Sequence, residues 1–128
     1  MDTFAAGQQW TFDTPPGFED ARLVIGAVLR FDNREPIVCC SVLRAPRRTP
    51  DGHVEPVDIP FIPFAAPALA GSVRSRDGDG TPAEGFAAAF ADWRGDARGL
   101  TVFTVRFDGF LDRLIARQMA AIIGVDAA

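Results

Sequence analysis

Lysine and tyrosine are absent from this chain, histidine occurs once and cysteine twice. Without lysine there is no ammonium to meet a nucleotide's phosphates. No phosphate loop or dinucleotide fingerprint is present either, since Gly78 and Gly80 precede no strand-to-helix unit of the required kind. Nucleotide chemistry is not expected. A hydrolase would have to pair His53 with Cys39, Cys40 or a serine, but His53 has no spacing relation to either thiol. No Gly-x-Ser-x-Gly elbow surrounds Ser41, Ser72 or Ser75. Asp51, Glu55 and Asp58 around His53 lack the ligand spacing of a metal site, so a solvated loop is the preferred reading and no metal or cofactor is expected. Asp77-Gly78-Asp79-Gly80-Thr81 opens like a calcium loop, but Pro82 stands where the turn glycine belongs and Ala88 where the bidentate glutamate belongs.

Basic blocks and long apolar runs are also missing. Arginine supplies all 13 positive charges against 17 carboxylates, for a net charge of −4, and nothing beyond Arg44, Arg47 and Arg48 clusters. Duplex nucleic acid is therefore not an expected partner. The arginine-only usage reads as GC-rich bacterial coding rather than as function, although guanidiniums make any ion pair capable of bidentate geometry. Ile59 to Val73 carries no charge, yet Pro60, Pro63 and Pro67 interrupt it and it is too short for a bilayer, so no membrane association is expected. Met1-Asp2-Thr3-Phe4 lacks the basic and apolar regions of a signal peptide, which makes a cytoplasmic address the expectation. Cys39 and Cys40 are adjacent in a strand pattern, point to opposite faces and are expected as separate buried thiols.

What is present is a globular composition, 48% hydrophobic and 23% charged, at a length of 128 residues that suits one domain spanning 1–128. Residues 1–6 read as a loose end. Gly7 to Phe12 alternates as a half-buried strand, and Ala21 to Phe31 and Ile37 to Arg44 read as a long pair apolar on both faces. In the first of that pair Leu23, Ile25, Ala27, Leu29 and Phe31 share one face, with Val24 and Val28 on the other. The three form a meander that needs covering on both sides, by helices on one and by Ile59 to Phe64 or a second subunit on the other. Ala45 to Pro60 has loop composition, Ala66 to Arg74 a short helix pattern, and Arg76 to Gly80 that of a flexible turn.

Thr81-Pro82-Ala83-Glu84 has the form of a capping box with proline at the first helical position. The helix it opens places Phe86, Ala89, Phe90 and Trp93 on one stripe and stops at Gly95. Leu100 to Arg106 alternates as a further strand. Asp108 can cap a last helix, Gly109 to Ile123, whose stripe of Leu111, Leu114, Ile115, Met119, Ile122 and Ile123 is expected to be buried and which ends at Gly124. The class that follows is α+β: a mostly antiparallel sheet, the N-terminal meander plus the later strand, with about three helices packed on it.

The residues best placed to bind a ligand are Trp10, Glu19, Asp20 and Arg22, a carboxylate and guanidinium set around the Pro15-Pro16-Gly17 turn, although local ion pairing at an exposed turn is the preferred reading of the charged three. Trp93 reads as core. Arg113 and Arg117, at i and i+4 on the last helix, point weakly to an acidic partner beside the simpler reading of a solvated face.

The run Gly7-Gln8-Gln9-Trp10-Thr11-Phe12, followed by Pro16-Gly17-Phe18-Glu19-Asp20-Ala21-Arg22-Leu23, resembles the opening of a family of small bacterial proteins without an assigned activity. Its members carry Gly-Gln-x-Trp-x-Tyr, a Pro-Gly-x-Glu-Asp-Ser-Arg turn and a strand similar to Ile-Val-His-Ile-Ser-Val. Ile37 to Val42 takes the place of that strand here, and the similarity continues through Ile59 to Phe64, Glu84-Gly85-Phe86, Trp93 and Val102 to Val105. The family's histidine is Cys39 in this chain, its turn serine is Ala21 and its tyrosine is Phe12, so any catalysis resting on those groups would be missing. The resemblance implies a shared scaffold with a varying surface.

Two functions follow as expectations. The first is a module that binds another protein, an accessory or immunity-type factor being one form of it. The second is a small-molecule binder or enzyme that uses Glu19, Asp20 and Arg22 beside Trp10. A homodimer burying one sheet face is a third arrangement.

Overall fold

The third strand has no residue in contact with water from Ile37 to Val42, each being at most 1% exposed, and the remainder of the chain is arranged to keep it so. The computed structural model describes residues 4–97 and 99–123. Its elements are β1 (Gln8–Phe12), β2 (Arg22–Leu29), β3 (Ile37–Arg48), β4 (Val54–Ala65), α1 (Ala66–Ala70), β5 (Val73–Asp79), α2 (Phe86–Arg94) and α3 (Leu111–Ile123). The strands form one antiparallel sheet in the order β4-β3-β2-β1-β5, which makes the fold α+β.

The expected meander is its centre, and Cys39 and Cys40 are buried on opposite faces. The face assignment in β2 differs from simple alternation. Ile25 pairs with Cys40 but Ala27 with Cys39, so Gly26 is an extra residue in a β-bulge. Beyond it the phase flips. Leu23, Ile25 and Val28 meet the main core, whereas Ala27 and Leu29 join Phe86 on the other face, and Phe31 is 37% exposed.

Both coverings are largely helical. The main core, with Trp10, Phe12, Leu23, Val38, Val42, Ile62 and Phe64, is closed by Leu69 of α1, by Phe107 and by Leu114 of α3. The opposite face is closed by the α2 stripe, where Phe86, Phe90 and Trp93 pack around Phe61 with ring centroids 5.4–6.2 Å apart. The α2 stripe is as the spacing predicts. Ile59 to Phe64 covers nothing, because it belongs to β4 and lies beside β3.

Several other expectations are corrected. Ala45 to Pro60 is a hairpin, closed at Thr49–His53 by the Thr49 amide donating to the His53 carbonyl at 2.8 Å, with Gly52 at φ 88°. Pro56, Pro60 and Pro63 are tolerated because β4 is an edge strand. Ala66 to Arg74 shortens to the five residues of α1, and Arg76 to Gly80 is not a turn: most of it is in β5, paired with β1. The capping box does not form. Ala83 N donates to Ser41 Oγ at 2.9 Å and Phe86 N to the Ala83 carbonyl, so the helix starts at Phe86 with Gly85 at φ 94° as its N-cap.

Leu100 to Arg106 is reduced to a single parallel bridge, Phe103 to Phe64, held by Ala65 N to Phe103 O and Phe103 N to Pro63 O, both 2.9 Å. Its alternation is nonetheless used. Leu100 and Val102 pack on one core, Phe103 and Val105 on the other. Asp108 Oδ1 accepts from the Phe110 amide at 3.2 Å ahead of α3, and Gly124 lies outside the described residues. Phe4, expected in a loose end, is 8% exposed and edge-on to Trp10 at 5.5 Å, while residues 1–3 of that expectation lie outside the described residues.

The bulge generates a test. A β-carbon on Gly26 would lie 2.3 Å from Phe86 Cζ, so Gly26→Ala is expected to lose on the order of 1–3 kcal/mol in urea unfolding through overpacking. Phe86→Leu in the same chain should recover part of that loss, whereas two additive losses would place the ring elsewhere.

Candidate functional site

The four sequence candidates do not converge. Trp10 faces the main core at 4% exposure, its indole Nε1 donating to Gln8 Oε1 at 3.1 Å. Directly across β2 from Trp10 is Leu23, so the neighbouring Arg22 emerges on the opposite face. There Arg22 Nε meets Asp77 Oδ2 at 2.7 Å and its Nη1 donates to the Glu19 carbonyl at 2.8 Å. The Glu19 carboxylate turns back to the Gly17 amide at 3.1 Å. Asp20 pairs with Arg44, whose Nη2 also donates to the Asp20 carbonyl at 2.7 Å. Arg44 has φ 56°, a left-handed backbone held by Asp58 Oδ1 on its amide at 3.0 Å. The turn is thus tied to β3 and β5 by its own charges, and none of the four residues lines the clefts described below.

These pairs set an acid limit. The Asp77 carboxyl is lowered by its hydrogen bond from Arg22, Asp13 by that from Arg74, and Glu19 by the Gly17 amide, all from ordinary values of 3.8 for aspartate and 4.5 for glutamate. Carboxyls lowered by folding bind fewer protons than the unfolded chain near those values. Their contribution is complete above the ordinary values and is lost as pH falls through the lowered ones. The urea midpoint should therefore drop between about pH 5 and pH 3, and in Arg22→Gln combined with Arg74→Gln that acid slope should be shallower. An unchanged slope would assign the acid loss to other groups.

Among the described residues, no three of His, Cys, Asp and Glu come together as a metal would need. His53 is exposed in the β3–β4 turn, 3.7 Å from Asp51, while Glu55 pairs with Arg47 and Asp58 with the Arg44 amide, so the loop carboxylates are spread along the hairpin. Burial pushes the Cys39 thiol up to about 12 and Cys40 well above the ordinary thiol value. Thiolate chemistry is suppressed. A disulfide reagent should label neither cysteine in the native protein on the timescale on which both react in urea, and fast native labelling would contradict this packing.

The feature that sequence reasoning missed lies on α3. The stripe expected to be buried is divided: Leu114 is fully buried and Leu111 partly, but Ile115, Met119 and Ile122 are 47%, 56% and 69% exposed. Ile115 also lines a groove between α3 and the β3–β4 hairpin, about 480 Å³ in volume. Pro46, Val57, Ile59 and Leu111 supply its apolar surface, with Arg47, Arg48, Asp58 and Asp112 around it. The groove and the row are continuous through Ile115. Periodicity alone could not separate these residues from the core, because the row and the buried stripe are adjacent on one helix surface.

The other flank of α3 is basic. Arg113 and Arg117 both reach Asp108 Oδ2, at 2.8 and 3.2 Å, and Arg113 and Arg48 lie over the Phe110 ring at 4.4 and 5.0 Å from its centroid. None of the described helices is long and apolar enough to cross a membrane. No protein-family description, curated protein or solved structure matches the chain.

Proposed function

We propose that this chain is a cytoplasmic protein-binding module, and that its docking surface is the Ile115, Met119, Ile122 row of α3 together with the adjoining groove. The observation that carries this reading is the row itself. Three large apolar side chains stand about half or more exposed in line, beside a concave apolar surface framed by charges of both signs. Residues at i, i+4 and i+7 match the reach of an amphipathic helix, whose apolar face could lie along α3 and seat a side chain in the groove. The partner in this reading is a different protein presenting such a helix, which fits an accessory or immunity-type role.

Ile115→Glu combined with Met119→Glu changes only exposed positions and should leave the unfolding free energy within about 0.5 kcal/mol of the parent. In parallel native captures, a partner recovered in stoichiometric amount on the parent should be lost on the double variant. Equal recovery on both would remove α3 as the docking surface. Recovery on neither, with turnover of a small molecule, would favour the enzyme reading.

A further inference from the structure

The cleft where residues 104–108 pass the end of β1 and the start of β5 has a charge balance opposite to that of the whole chain. Asp13, Ser72, Arg106, Asp108 and Arg117 surround a volume of about 550 Å³. Arg74 joins them through a bidentate pair with Asp13, and Arg113 through Asp108. The lining itself holds two guanidiniums and two carboxylates; with Arg74 and Arg113, which stand outside the lining behind the two aspartates, the neighbourhood carries a surplus of two positive charges on a protein of net charge −4.

Three of the four guanidiniums already have carboxylate partners: Arg74 has Asp13, and Arg113 and Arg117 share Asp108. Arg106 has none. Among the described residues no carboxylate oxygen lies within 4.0 Å of its guanidinium, although its field adds to that of Arg74 in holding Asp13 ionised. Its surroundings are nevertheless fixed. The Arg106 carbonyl accepts from Arg117 Nη1 at 3.4 Å, and the next amide, Phe107 N, donates to Ser72 Oγ at 2.9 Å, whose hydroxyl donates to the Ala68 carbonyl at 2.7 Å. Thr104 N is held by Gln118 Oε1 at 2.7 Å. The side-chain stem of Arg106 lies over Gly71, where a β-carbon would come within 3.3 Å of Arg106 Cγ.

We infer that this cleft binds a phosphoryl group, with Arg106 gripping it and Arg117, whose guanidinium lies beside the Arg106 carbonyl and Asp108, adding charge. A free planar fork matches phosphate bidentately, and the surplus of two charges matches a phosphomonoester or inorganic phosphate, which carries about −1.5 to −2 at pH 7. A monocarboxylate would neutralise only half of it. The two aspartates do not repel the ligand strongly, because each is already matched or exceeded by guanidinium charge. The apolar row on α3 takes no part, so this site stands or falls independently of the docking surface.

The test is titration of the full chain with inorganic phosphate at constant ionic strength, followed by the NMR signals of arginine Nε–H groups and of the amides from Thr104 to Asp108. Saturable shifts centred on Arg106 are expected, weakening as pH falls through the second ionisation of phosphate, where the dianion is lost. Arg106→Gln, at an exposed position, should reduce the affinity roughly tenfold or more, while Ile115→Glu should leave it unchanged. Absence of saturation, equal shifts with chloride or acetate, or parental affinity in Arg106→Gln would each overturn the assignment.

Discussion

Burial of β3 on both faces is the constraint from which the rest of the architecture follows. A strand that is apolar on alternate sides cannot be satisfied by a single helical layer, so the chain supplies two, and neither suffices alone. α2 carries aromatic rings over Cys39 and Ile37, while α1, α3 and the Phe103 to Phe107 stretch close over Val38, Cys40 and Val42. The stretch from Leu100 to Phe107 connects the layers. It passes the end of β4 with two backbone hydrogen bonds and sends side chains to either side, so each layer helps to position the other.

This constraint explains which parts of the fold were legible. β1, β2 and the first half of β3 show their period in the residues themselves, and the α2 stripe at 86, 89, 90 and 93 is set by helical spacing. The bulge at Gly26 was hidden, because a glycine in an apolar run does not announce that one strand carries an extra residue; the register against β3 shows it, and the ring of Phe86 fills the space a side chain would take. The hairpin of β3 and β4 was hidden by its prolines and charges, which are loop signals in isolation and edge-strand signals once a neighbour is known. The capping box lost to a tertiary contact, the Ser41 hydroxyl on the Ala83 amide, which no local pattern contains.

The same limit governs the sites. Trp10, Glu19, Asp20 and Arg22 are close in sequence, yet the pairing of β1 with β2 sets Trp10 opposite Leu23 and so places the ring and the Arg22 guanidinium on opposite sides of the sheet. Conversely, Arg74 and Arg106 are distant in sequence, and Asp13 comes under the charge of both only once β5 is paired with β1. Arg113 and Arg117 were visible as a pair, but their shared carboxylate, Asp108, turns an expected repulsion into a bridge. α3 therefore presents two surfaces of unlike chemistry, one apolar and one rich in guanidinium, on either side of its buried seam.

The two outer strands differ in kind from the inner three. β4 carries prolines at 56, 60 and 63, and β5 carries Arg74, Arg76, Asp77 and Asp79 along an almost wholly exposed length. A foreign strand approaching β4 would find amide donors missing at intervals, and one approaching β5 would have to accommodate a row of charges of both signs. Lengthening of the sheet by another chain is therefore discouraged at either margin, which protects the molecule from ribbon-like polymerisation. Association is left to side chains, on surfaces that can saturate and stop.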